Sequence, residues 1–297
     1  MCLKVEFFHF FSYTLLVIIL IENIIKKMYN LAIICLKEYE NYYILNDRKD
    51  TYYLYHFQSA FPISLSYSFS SFFNESYQFV YNCFNHYISK YNHEYYVLLK
   101  KNNKNVIDYV IPSYYVSYHY QLTWRNEWID IHNFFESQYD NIKGKYPYID
   151  ESILYFLGML DQAIFYLKDY SNTFFISSIQ RKKFGEENYN PFNYMEDVIE
   201  RDFSEYLKYL FFYDAYDFKN ISNLLYKGYN YYNYDLVIAR LLYPNYYFRE
   251  LQSIITNEKN SNFLKIIISK QKDYEKYVLR IIDEINKFYP TKKHPFL

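Results

Sequence analysis

Apolar and polar positions along this chain follow two regimes. From Leu31 to Phe57 they alternate or run in short blocks, LAIICL, YYIL and TYYLYHF, the pattern of half-buried strands. Asn46-Asp47-Arg48-Lys49-Asp50 supplies a polar hairpin turn between the last two. Tyr95 to Leu99 and Val106 to Ile111, joined across Lys100–Asn105, predict a further hairpin. Between these pairs, Phe72 to Ile88 has helical spacing, with Phe79, Val80, Cys83, Phe84 and Tyr87 mostly on one side. The resulting small α+β unit ends near Pro112.

Beyond it the period lengthens. Trp124, Trp128, Ile131 and Phe135 line one face of a helix predicted from about Gln121 to Tyr139. Asp150 is placed to cap the next, whose stripe is Ile153, Leu157, Leu160, Ile164 and Leu167. Gly158 sits inside that helix at a cost of about 1 kcal/mol against Ala, which suggests close approach of another backbone. Phe174 to Gly185 is a short apolar run that turns basic at Arg181-Lys182-Lys183. Then comes Tyr189 to Phe212, YNPFNYMEDVIERDFSEYLKYLFF, an Asn-Pro turn followed by an acidic passage and an amphipathic helix. Asp202 and Glu205 have capping-box spacing, and Phe203, Tyr206, Leu207, Leu210 and Phe211 form one buried stripe. Pro244 separates helices over 235–243 and 246–255. A long helix over 263–288 closes the chain. The fold class is helix-rich α+β, with a β-rich lobe over 28–112 and a helical lobe over 113–297.

Composition changes this picture little. Of 297 residues, 24% are aromatic, with 43 Tyr against 4 Gly. Tyr, Phe, Asn, Ile and Lys share A/T-rich codons, so a low-GC genome accounts for the bias. Net charge is −1, which leaves no basic excess for nucleic-acid binding. Cys2, Cys35 and Cys83 are odd in number and far apart, as in a reducing, cytoplasmic setting without a disulfide framework.

Residues 1–27 stand apart. The apolar run Phe7 to Ile21 is shorter than the roughly 20 residues a spanning helix needs, and it lacks the flanks of a signal peptide. It reads either as a short membrane anchor or as sequence upstream of a true start at Met28. The second is favoured.

Five segments carry a resemblance: YYVLLK (95–100), TWRNEWID (123–130), LYFLGMLDQAIFYL (154–167), NPFNYMEDVIERDFSEYLKYLF (190–211) and ARLLYPNYYFREL (239–251). With the outline of a β-rich lobe followed by a helical one, they resemble the protein-kinase-like superfamily, in its aminoglycoside phosphotransferase and choline kinase branch. Within it they are most similar to spore coat kinase-like proteins of low-GC Gram-positive bacteria. The resemblance implies a two-lobed fold.

It also implies where catalytic groups should stand. Active members use a His-Gly-Asp loop, an Asn and a magnesium-binding Asp, because a base must orient the acceptor and a metal must offset phosphate charge. The base loop would fall at Ile176–Phe184, which holds no His, Asp or Glu. Asn190 or Asn193 would stand at the metal-binding Asn and Asp197 at the magnesium Asp, as a degenerate Mg-ATP site. No Gly precedes Gly144, so no glycine-rich loop can cover phosphates, and TYYLYHF has no Lys. The implied function is a non-catalytic kinase-like protein, a pseudokinase acting through protein partners, with no cofactor. The alternative is an ATP-dependent small-molecule phosphotransferase with a rearranged site and Mg-ATP.

Other candidates have plainer readings. Cys83 and His86 lack further ligands at familiar spacing for a metal. Asp214 and Asp217 read as a solvated helix end rather than an acid/base pair. Trp124 and Trp128 belong to a core stripe. Arg181, Lys182 and Lys183 read as a solvated turn. His119 and His132 have no nucleophile nearby in sequence.

Overall fold

A computed structural model describes residues 19–39, 42–57, 77–101, 115–145, 147–170, 172–182, 193–257 and 262–290. The chain divides into two compact units, Met1–Ile107 with Glu187–Asn193, and Asp108–Glu186 with Tyr194–Leu297.

The first unit is built on an antiparallel sheet: β1 (Cys35–Glu38), β2 (Tyr42–Asn46), β3 (Thr51–Phe57), β4 (Tyr77–Phe79), β5 (Ile88–Tyr91) and β6 (Glu94–Lys101), in the order β1-β2-β3-β6-β4 with β5 also on β6. The β2–β3 hairpin forms where the polar turn predicts it. Asp47 Oδ1 accepts from the N–H groups of Lys49 and Asp50, both at 2.7 Å, while Lys100 of β6 pairs with Asp50 at 2.7 Å. Alternation in β6 is lost, since Tyr96, Val97, Leu98 and Leu99 are all buried. A central strand covered on both faces has no polar face to show.

One covering layer comes from a helix over 19–29, α1. Its Ile21, Ile24, Ile25 and Tyr29 join Tyr43, Leu45, Tyr52, Leu54, Tyr96 and Leu98 in a single buried cluster. Residues of the segment 21–25 are therefore part of this core.

The helix expected over 72–88 is not formed in its described part, 77–88. Residues 77–79 and 88–91 are strands, and the turn between them is organised by Asn82. Its Oδ1 accepts from the N–H groups of Phe84 and His86, and its Nδ2 donates to Ser89 Oγ at 3.0 Å. Asn85 takes a left-handed backbone conformation (φ 62°), which Asn tolerates and a helix interior excludes. The expected strand over 106–111 lies outside the described residues.

The second unit has a three-stranded antiparallel sheet, β7 (Ser117–Gln121), β8 (Phe174–Arg181) and β9 (Tyr194–Val198), with β8 central. Its helices are α2 (Trp124–Ile142), α3 (Pro147–Tyr166), α4 (Glu200–Phe212), α5 (Phe218–Gly228), α6 (Tyr234–Leu242), α7 (Asn245–Asn257), α8 (Asn262–Ser269) and α9 (Gln271–Asn286). All nine residues of α6 are buried, and it packs against α3, α4 and α9. Trp124, Trp128 and Phe135 face the core as their spacing predicts. Trp128 stacks on Tyr243 at 4.5 Å and Phe135 on Phe248 at 4.7 Å, aromatic pairing that adds to area burial.

Some details differ from the sequence reading. Asp150 lies within the first turn of α3 and accepts from Gly144 N at 3.0 Å instead of capping the helix. The closing helix is two, α8 and α9, broken at Lys270. No described backbone approaches Gly158: a Cβ there would meet nothing within 4 Å. Gly228 is the opposite case, since a Cβ would meet the Tyr232 ring at 2.7 Å. No helix among the described residues is long and apolar enough to cross a membrane, and residues 7–18 lie outside them.

Candidate functional site

The region that should carry chemistry is the β8–β9 pair and the first turns of α4. Residues 176–181, expected as the start of a loop, are instead strand: Ser177 pairs with Ser117 of β7, and 177–181 pair with β9. Three residues of β8 explain why. Ser177 donates to Glu196 at 2.6 Å. Gln180 Oε1 accepts from Asp202 N at 2.7 Å. Arg181 N donates to Asp202 Oδ1 at 2.8 Å, and its guanidinium pairs with Oδ2.

Asp202 is thus no capping residue. The N-cap of α4 is Ile199, with no side-chain cap, and Asp202 ties the helix to β8. Burial pushes its carboxyl up against the opposing pull of Arg181. Arg181 is 1% exposed, so the expected solvated turn begins only at Lys182.

Asp197, the residue implied for magnesium, is also 1% exposed. Its Oδ2 accepts from Trp124 Nε1 at 2.9 Å and from Arg201 Nη1 at 2.7 Å. Its Oδ1 accepts from Val198 N at 2.8 Å. Arg201 is held in turn by the carbonyl of Arg181, to which Nε donates at 2.9 Å. A magnesium ion takes six oxygens and usually keeps several waters. As its ligand, Asp197 would have to shed a guanidinium already neutralising it, so the donor set does not suit the ion. Among the described residues no three of His, Cys, Asp and Glu gather as a metal site. Asn193 is buried in the stretch that belongs to the first unit. Asn190 lies outside the described residues.

Further along α4 lies a cluster that sequence reasoning missed. Glu205 Oε1 accepts from Arg240 Nε at 2.7 Å, and Oε2 from Asn245 Nδ2 at 3.0 Å. Lys208 Nζ donates to the Tyr243 carbonyl and Asn245 Oδ1, both at 2.7 Å, and stands 3.5 Å from Glu205. Arg240 lies 5.1 Å over the Trp124 ring and 5.0 Å over Tyr243, within cation–π reach. Burial alone would raise Glu205, but Lys208, Arg240 and Arg201 together hold it down at about 2. Burial pulls the Lys208 ammonium below its ordinary value, with Glu205 opposing. The sequence signal for this cluster was its position, charged residues at i, i+3 beside the apolar stripe of α4.

Glu200 is less well served. Its Oε1 accepts from Asn233 N at 2.9 Å, whereas buried Oε2 has no partner. Burial raises the carboxyl from 4.5 to about 7, with Asp197 adding to the push. A carboxyl raised in the folded state contributes most below its unfolded pKa. That contribution fades as pH rises from about 4.5 through 7, by about 3 kcal/mol over the range. Glu200→Gln keeps an acceptor for Asn233 without the charge. Its stability relative to the parent is expected to rise between pH 5 and pH 8 in urea melts, and a pH-independent difference would refute the assignment.

The remaining candidates behave as surface or core. Asp217 caps α5 through Lys219 N, and exposed Asp214 pairs with Lys270 at 2.7 Å. Cys83 is exposed on a turn, not a helix. His132 lies 3.3 Å from Asp161, and His119 meets the Phe174 ring edge-on at 5.9 Å.

No protein-family model matches this chain, and no curated protein matches it. Solved structures do. An aminoglycoside phosphotransferase from Alicyclobacillus acidocaldarius is 12% identical with a TM-score of 0.63, over 89% of this chain and 96% of that one. A spectinomycin phosphotransferase, solved with ADP and spectinomycin, is 11% identical with a TM-score of 0.56, over 90% and 96%. At such identities the likeness speaks for the fold. The chain has the kinase-like fold of the aminoglycoside phosphotransferases, helix-rich α+β with an antiparallel sheet in its first unit.

Proposed function

We propose that this chain is a pseudokinase, a kinase-like protein that works by binding protein partners rather than by phosphoryl transfer. Its sequence resemblance points to the spore coat kinase-like proteins. One observation carries the reading: Asp197 is spent on Trp124, Arg201 and Val198, so the group that should meet magnesium is instead an internal anchor. The absence of His, Asp and Glu over 176–184, and of Gly before Gly144, supports it from the sequence side. The two solved phosphotransferases share the fold without deciding the activity, since one fold hosts many functions.

A thermal melt with and without millimolar Mg-ATP tests this. Ligand at a hundredfold its Kd would stabilise the native state by about 2.7 kcal/mol; no shift is expected. A clear upward shift that disappears in Asp197→Ala would move the protein to the alternative, a small-molecule phosphotransferase with a rearranged site.

A further inference from the structure

Gly158 holds a mid-helix position of α3 that favours any other helix former. In a chain with 4 glycines, one stands where a Cβ would meet, beyond its chain neighbours and the helix's own backbone, nothing within 4 Å. Packing among the described residues therefore does not explain it. The open space is a groove of about 270 Å³ between α3 and α9. Leu154, Tyr155, Met159, Leu242 and Val278 give it apolar walls, and Leu154 is 57% exposed.

At its rim stands Glu275, half-buried. Its Oε2 accepts a long hydrogen bond from Tyr155 Oη at 3.4 Å. The ion pairs elsewhere on α9 join Lys276 to Asp273 and Lys287 to Glu284, and no cation among the described residues reaches Glu275. A carboxylate beside apolar walls, over a floor cleared of its side chain, is complementary to one kind of ligand. We propose that this groove binds an amine with an apolar body, the ammonium on Glu275 and the body over Gly158. The volume suits a ligand of one ring and a short stem. The site belongs to the second unit alone and is independent of the reading of Asp197.

The test uses the full chain and phenethylammonium as probe, followed by NMR shifts of the Gly158 and Val278 amides. Saturable millimolar binding is expected, and phenylacetate, with the opposite charge, should fail. Glu275→Gln should weaken binding by about tenfold, as loss of one partly buried ion pair implies. Gly158→Leu adds a strong helix former whose side chain enters the groove. It should melt no lower than the parent and bind no probe. The proposal is overturned by absence of binding at 10-millimolar order, by equal binding of phenylacetate, or by unchanged affinity in both variants.

Discussion

A chain begun at Met28 is expected to lose the folded state of its first unit. That truncation removes Ile21, Ile24 and Ile25, which are 3%, 0% and 0% exposed, from the cluster under β2, β3 and β6. Each lost isoleucine is worth about 2–5 kcal/mol by analogy with Ile→Ala in cores. Three such losses rival the whole stability of an ordinary domain, about 5–15 kcal/mol. They would also expose Leu45, Leu54 and Leu98 together, an apolar patch of the kind that drives aggregation. Limited proteolysis reads the outcome, with rapid cuts expected within residues 42–57 and 77–101 in the short chain only. Equal protease resistance in both chains would show that α1 contributes nothing.

Glu205→Ala should be comparably damaging to the second unit. The substitution strands Arg240 and Lys208, both buried, without their countercharge, and removes an acceptor of Asn245. Breaking a buried pair from one side destabilises by about 3–5 kcal/mol, because the remaining charge stays desolvated. Glu205→Gln retains acceptor and donor atoms and should fall between parent and Ala, near 1–3 kcal/mol. The carboxyl is depressed from 4.5 to about 2. Its stabilisation is therefore present above about pH 4.5 and is lost as pH falls through 2. Equilibrium unfolding in urea at pH 7 measures the order. If Glu205→Ala unfolds at the same midpoint as the parent, the cluster is ornamental.

The Glu205 result bears on how buried charges are held in the second unit. Around α4, Asp202 secures β8, Asp197 of β9 secures Arg201, and Glu205 secures α6 and the start of α7. Carboxylates and cations are matched inside one helical unit. Replacing any one of them leaves a buried charge without its partner. Asp197 then survives as a structural anchor in the proposed pseudokinase.

What the sequence determined by itself was the β2–β3 hairpin and most helices of the second unit with their buried faces. Phe203, Leu207 and Phe211 of α4, and Tyr274, Tyr277, Val278, Ile281 and Ile285 of α9, lie inward as their spacing required, because apolar periodicity is a local record of which face meets water. The tertiary structure alone decided where the charges went. Glu196 to Asp202 reads as an acidic passage with a cap at Asp202, since nothing local shows that Arg181 lies 21 residues back from Asp202, or Arg240 35 residues on from Glu205, on a neighbouring element. Ion pairs across such separations exist only once strands and helices have packed. The same holds for the helix misread over 72–88, where one asparagine side chain and strand pairing outweighed a helical period, and for Gly158, whose open groove no spacing could announce.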